Sequence, residues 1–156
     1  MTRQGHPITI LMADDDADDR EMTREAFEHC RVSNDLRFVE NGAELLDYLH
    51  QRDKFQDKKQ SPRPGLILLD LNMPLKDGRE ALREIKADAR FKSIRIVVMT
   101  TSKADEDILR SYQLGAESFI TKPVTFPALV DVIKTMGRYW LEIVELPSDC
   151  EDGKHA

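Results

Sequence analysis

PITILMADDDADDREMTREAFEHC, residues 7–30, decides the fold. Ile8 to Ala13 is an unbroken apolar run with β-branched members, closed by aspartates, which is how a strand buried on both faces reads. Beyond the aspartates Met22, Ala26 and Cys30 recur every fourth residue, and Thr23 and Phe27 widen the stripe. This spacing predicts an amphipathic helix over about residues 17–29, with Asp16, Asp18 and Asp19 suited to its positive N-terminus. A buried strand running straight into a one-sided helix is a β-then-α unit.

The unit repeats along the chain. Leu36 to Val39 reads as a short strand, Asn41-Gly42 as a turn into a helix carrying Leu45, Leu46 and Leu49, and Leu66 to Leu69 as a third strand. A helix over about residues 78–87, a strand Ile94 to Met99, a helix over about 105–114, a strand Ser118 to Thr121 and a helix from Thr125 onward complete it. Five strands alternating with five helices predict a (βα)5, doubly wound, five-stranded parallel sheet, because each parallel pair needs a crossover helix. Two stretches break the rhythm, the polar Gln51 to Gly65 segment and the acidic tail. Both read as solvated.

A length of 156 residues fits one domain, read as an extension over residues 1–6, a domain over 7–146 and a tail over 147–156. Hydrophobic residues at 40% and charged ones at 33% are a globular balance, and a net charge of −6 offers no electrostatic footprint for nucleic acid or an anionic membrane. Cys30 and Cys150 are far apart and match no metal spacing, so both read as reduced thiols of a cytoplasmic protein. The first apolar run is only six residues long and ends in aspartates, which neither a signal peptide nor a membrane span tolerates.

The polar residues at the strand ends carry the chemistry. Asp14, Asp15 and Asp16 close the first strand, Asp70 the third, Thr100, Thr101 and Ser102 the fourth, and Lys122-Pro123 the fifth. In a parallel sheet these ends meet in one crevice. Carboxylates gathered there repel one another unless a cation compensates, and an all-oxygen site suits Mg²⁺. One carboxylate beside such an ion could attack a phosphoryl group, with Lys122 and Thr100 holding its oxygens. Asp14, Asp16, Asp18 and Glu25 also fall on calcium-loop positions, but Asp19 stands where that loop needs glycine and a strand precedes it. Asp16, Asp18 and Asp19 are therefore assigned to the helix start, leaving Asp14 and Asp15 for the crevice.

Through ITILMADDDADD (8–19), LILLDLNMPLKDG (66–78), IVVMTTS (96–102) and SFITKPV (118–124), in this order and spacing, the chain resembles the receiver domain of bacterial two-component response regulators over roughly residues 7–145. The resemblance implies a flavodoxin-like receiver fold. It implies that Asp70 accepts phosphate from a sensor histidine kinase, and that Asp14, Asp15, Asp70 and the backbone carbonyl of Asn72 hold Mg²⁺. Lys122 would pair with carboxylate or phosphoryl oxygens, its approach fixed by a cis bond to Pro123. Thr100 and Phe119 would form the switch, Phe119 standing where the family often has tyrosine; Thr101 would restrict phosphodonor access, and the side chains of Asn72 and Ser102 would flank the water path to the phosphoryl group.

KFQDK (54–58) and YWLEIVELP (139–147), together with these motifs, look most like single-domain regulators paired with bacterial phytochrome kinases. Such a regulator is a signalling module rather than an enzyme, and would act on a downstream protein effector by contact. Val132, Tyr139 and Ile143 add apolar surface to the last helix beyond what the core needs, which suggests a homodimer. The alternative reading is a haloacid-dehalogenase-like, Mg-dependent phosphatase with an Asp nucleophile. It is disfavoured because the acidic pair comes first and Asn72, not aspartate, lies two residues after Asp70. A flavin domain would need a phosphate loop where the chain has aspartates.

Overall fold

The computed structural model describes the backbone of residues 8–101 and 105–139, and the side chains of 8–101 and 107–136. In chain order the elements are β1 (Thr9–Ala13), α1 (Ala17–His29), β2 (Leu36–Val39), α2 (Gly42–His50), β3 (Pro64–Leu69), α3 (Gly78–Ala87), β4 (Arg95–Thr100), α4 (Asp105–Gln113), β5 (Ser118–Thr121) and α5 (Phe126–Tyr139). The strands form one parallel sheet in the order β2-β1-β3-β4-β5. The expected architecture is therefore the observed one.

Strand side chains alternate between two cores, which is why the strands read as continuous apolar runs. Leu11, Ala13, Ile67, Leu69, Ile96 and Val98 pack beneath α2 and α3, against Leu45, Leu49, Leu82 and Ile85. Ile10, Met12, Leu66, Leu68, Val97 and Met99 pack on the other face against Ala26 and Phe27 of α1 and Leu129 and Ile133 of α5. Each fully buried leucine or isoleucine contributes about 1.5–3 kcal/mol.

Caps fix where the helices begin at the site. Asp16 accepts the amides of Asp18 and Asp19, Asn41 that of Glu44, and Asp77 that of Arg79. Strand order reverses at β1, whose neighbours β2 and β3 leave it in opposite directions, so a crevice opens at the carboxyl ends of β1 and β3.

Three expectations need correction or limitation. The Gln51 to Gly65 segment is more than a solvated excursion: Pro64 and Gly65 belong to β3, a 3₁₀ turn spans Asp53–Phe55, and Ser61 is buried. Tyr48 Oη and Gln51 Nε2 donate to the carbonyls of Pro62 and Ser61, and pin it. Val132 packs partly against the α1/α5 core, so less of it is surplus surface than the stripe implied. The Tyr139 side chain, Ile143 and the acidic tail lie outside the described residues.

Candidate functional site

The four strand ends deliver their polar residues to one place. Asp70 Oδ1 accepts from the Thr100 hydroxyl at 2.8 Å and from the Asn72 amide at 3.0 Å, while Asp70 Oδ2 faces Lys122 Nζ at 3.0 Å. Asp14 is 1% and Asp70 6% exposed, and Thr100 is fully buried, so these contacts form largely out of water. The Asn72 side chain donates weakly to Thr100 Oγ1 at 3.4 Å.

The loop that follows Asp70 is held by two close backbone approaches. A Cβ on Gly78 would lie 2.2 Å from the Asp70 carbonyl oxygen, and one on Gly42 2.1 Å from that of Lys76. The Gly78 amide donates to Leu71 and the Gly42 amide to Lys76. Only glycine permits the start of α3 to lie so close to Asp70.

Lys122 is the electrostatic centre. Its ammonium donates to Asp14 Oδ2 at 2.8 Å, Asp19 Oδ2 at 2.8 Å and Asp70 Oδ2 at 3.0 Å, using all three protons. Burial works against its charge, but the hydrogen bonds it donates to Asp14, Asp19 and Asp70 outweigh this and hold its pKa above the ordinary lysine range. Asp14 is pushed up, because burial outweighs the lysine contact and the Asp16 amide. The site thus carries more negative charge than Lys122 compensates.

One carboxylate oxygen from each of Asp14, Asp15 and Asp70 lies within 4.8 Å of the others, with Asp15 exposed at the mouth. These are hard oxygen donors grouped around a point a small divalent cation could occupy, and such a cation would relieve the unfavourable charge on Asp14. The residues present fit the group.

Compared with known families, residues 10–134 match the response regulator receiver domain. The chain belongs to that family. The receiver domain is 36% identical over 142 residues to the response regulator Rcp1 of Synechocystis sp., covering 91% of this chain and 95% of Rcp1. Crystal structures extend the likeness: Mn²⁺-bound Rcp1 superposes with a TM-score of 0.78 at 36% identity, covering 91% of this chain and all (100%) of that one. The phosphorylated cyanobacterial phytochrome regulator RcpA superposes at 0.79 and 37%, covering 91% and 99%. RPA3017, of red light signaling in R. palustris, does so at 0.80 and 32%, again covering 91% and 99%. As a receiver domain the chain is the phosphoryl-accepting part of a two-component relay that pairs with sensor histidine kinases, and the phosphatase alternative falls away.

Asp14, Asp15, Asp70, Thr100 and Lys122, named from strand ends, are brought together in the receiver domain. Phe119 is half-buried against the α2/α3 core and Thr101 is exposed, while Ser102 lies outside the described residues. The cis bond to Pro123 is corrected: no peptide bond among the described residues is cis. The Lys122 amide donates to the Thr100 carbonyl at 2.7 Å, continuing the β4–β5 ladder, and this fixes the lysine's approach.

Two residues escaped the sequence reading. Asp19 was assigned to the helix start, yet its carboxylate reaches Lys122. The signal was available, since Asp19 precedes the inward-facing Thr23, Ala26 and Cys30 at helical spacing. Tyr112 of α4 accepts the Phe119 amide on its hydroxyl at 3.2 Å, a contact that sequence spacing does not announce.

Proposed function

We propose that Asp70 is the phosphoryl acceptor of this receiver, taking the group from a phosphohistidine of a sensor kinase of the bacterial phytochrome class. The Asp70 carboxylate forms the new O–P bond as the donor's N–P bond breaks, and the imidazole leaves with the electron pair. The carrying observation is that each Asp70 oxygen is already oriented, one by the Thr100 hydroxyl and Asn72 amide, the other by Lys122. Positioning and charge compensation are most of what this chemistry needs.

Asp14, Asp15, Asp70 and the Asn72 carbonyl would hold Mg²⁺, which when bound supplies charge neutralisation for the incoming phosphoryl oxygens. Lys122 and Thr100 stand on either side of Asp70 and are the groups that meet those oxygens. Pro123 directly follows the lysine and starts the chain toward α5. The Thr100 hydroxyl and the Phe119 ring form the switch, and the altered surface meets a downstream protein effector. The domain spans residues 7–146 and works in the cytoplasm, in keeping with a buried Cys30 thiol and with no described helix long and apolar enough to cross a membrane. Val132, Tyr139 and Ile143 contribute to self-association, which sedimentation with and without phosphodonor tests.

The deciding experiment is intact-mass measurement after incubation with Mg²⁺ and acetyl phosphate. The wild type gains one phosphoryl mass, lost under alkaline hydroxylamine as an acyl phosphate is, and Asp70→Asn gains none. A wild type without the gain, or an Asp70→Asn protein that keeps it, sinks the reading.

A further inference from the structure

A cavity of about 190 Å³ opens at the amino ends of the strands, where the segment before β3 passes the carboxyl end of α2. Pro64 on its wall starts β3, and Asp70 follows the end of that strand, so about 20 Å of strand separates the cavity from the acceptor. Tyr48, Leu49, Pro64 and Phe91 form the walls, and all four are buried. Two aromatic and two aliphatic side chains suit a ring, and a cavity of about 150 Å³ already admits benzene.

Two polar groups lining the cavity have capacity to spare. Ser61 is 1% exposed, and its hydroxyl has no hydrogen-bond partner among the described residues. Its backbone carbonyl, by contrast, accepts from Gln51 Nε2 and fixes the residue in place. Arg63 stands at the exposed rim. Its guanidinium donates to the Arg90 carbonyl at 2.6 Å and to Ser93 Oγ at 3.3 Å, and lies 6.0 Å from the centre of the Phe91 ring. Those bonds use two of its N–H groups and leave the others free. Nearby Arg52 and Arg90 are neutralised by Asp47 and Asp88, whereas no carboxylate among the described residues pairs with Arg63.

We propose that this cavity binds a small aromatic monocarboxylate, its ring against the apolar walls and its carboxylate accepting from Arg63 and from the Ser61 hydroxyl. The anchored guanidinium supplies the missing counter-charge, and the ligand gives the buried hydroxyl the acceptor it lacks. The chain's net charge of −6 works against an anion at long range, so the affinity comes from these local contacts. Binding is non-covalent and independent of what Asp70 does.

Benzoate is the probe, titrated into the isotope-labelled whole chain while the backbone amide shifts of Tyr48, Gln51, Ser61 and Phe91 are followed by NMR. The four shifts saturate together at a dissociation constant of about 1 mM, the affinity of a fragment held by one ring and one carboxylate. Benzamide, the same ring without the charge, binds about tenfold more weakly. Ser61→Ala weakens benzoate about fivefold. Arg63→Gln abolishes the preference for benzoate over benzamide, and Arg63→Lys keeps it. Shifts that stay linear to about 10 mM, as a cavity holding water alone would give, overturn the proposal. Equal affinities of the wild type for benzoate and benzamide overturn it without any variant, and so does an unchanged benzoate affinity in Ser61→Ala.

Discussion

Replacing Gly78 by alanine probes whether the start of α3 sets the position of the acceptor. The added Cβ would sit 2.2 Å from the Asp70 carbonyl oxygen and 2.7 Å from the Leu71 Cα, both backbone atoms, whereas ordinary contact begins at 3.4 Å. Something must therefore move by about 1 Å, a misplacement that can reduce catalysis about a hundredfold. Overpacking of this kind costs about 1–3 kcal/mol, and the better helix propensity of alanine returns at most about 1 kcal/mol. The expected balance is a loss of about 1–2 kcal/mol, which for a domain of this size lowers the melting temperature by about 5 °C. Because the shift bears on Asp70 itself, acetyl phosphate labelling followed by intact mass should slow by at least about tenfold. Calorimetry and labelling are read on the same preparation. A variant that melts no lower than the wild type and labels at the same rate would refute the claim that this approach positions the acceptor.

Other perturbations have definite expectations. Tyr112→Phe removes the acceptor of the Phe119 amide, so hydrogen exchange at that amide quickens about fivefold while global stability by urea unfolding falls by no more than about 1 kcal/mol; unchanged exchange would show that the contact carries no weight. Ser61 Oγ is buried without a hydrogen-bond partner among the described residues, so Ser61→Ala is neutral or stabilising by up to about 1 kcal/mol, and a clear loss in urea unfolding would contradict this. The His50 pKa is lowered by burial and by the nearby Arg52 and Arg90 guanidinia, so the unfolded chain takes up a proton first as pH falls. The stability it contributes is full above its ordinary pKa of about 6.5 and is lost as pH falls through and below that value. Urea midpoints at about pH 8 and about pH 5 should differ less in His50→Gln than in the wild type, and an unchanged difference would refute the assignment.

The fold was almost fully legible because its strands are buried on both faces and its helices on one, two periods that are easy to tell apart. The bounds of α1, β2, α3 and β5 agree with the sequence reading residue for residue, and those of β1, β3, β4 and α4 and the start of α5 differ by one or two positions. The site was legible through topology, since Asp14, Asp70, Thr100 and Lys122 each end a strand and parallel strands end together. Asp19 was not, because a carboxylate behind an N-cap residue satisfies the helix start so well that a second role leaves no mark in composition. Only its place on the same stripe as Thr23 and Ala26 points inward. The loop before β3 was misjudged for the opposite reason: its polar residues suggested solvation, while its order comes from backbone carbonyls that accept from Tyr48 and Gln51.

The two glycine approaches bear on where a newly arrived charge can do mechanical work. The segment from Asp70 to Gly78 is clamped by Gly42 on one side and Gly78 on the other, and the Lys76 ammonium ties it to Glu84 of α3 at 2.8 Å. A loop braced at both ends by backbone contact is a poor spring. On the opposite flank β5 has a neighbouring strand on one side only, and a single tyrosine hydroxyl covers its outward Phe119 amide. If Asp70 takes a phosphoryl group as proposed, the β3–α3 side is the more firmly tied of the two, and the edge strand β5 has fewer backbone ties to break.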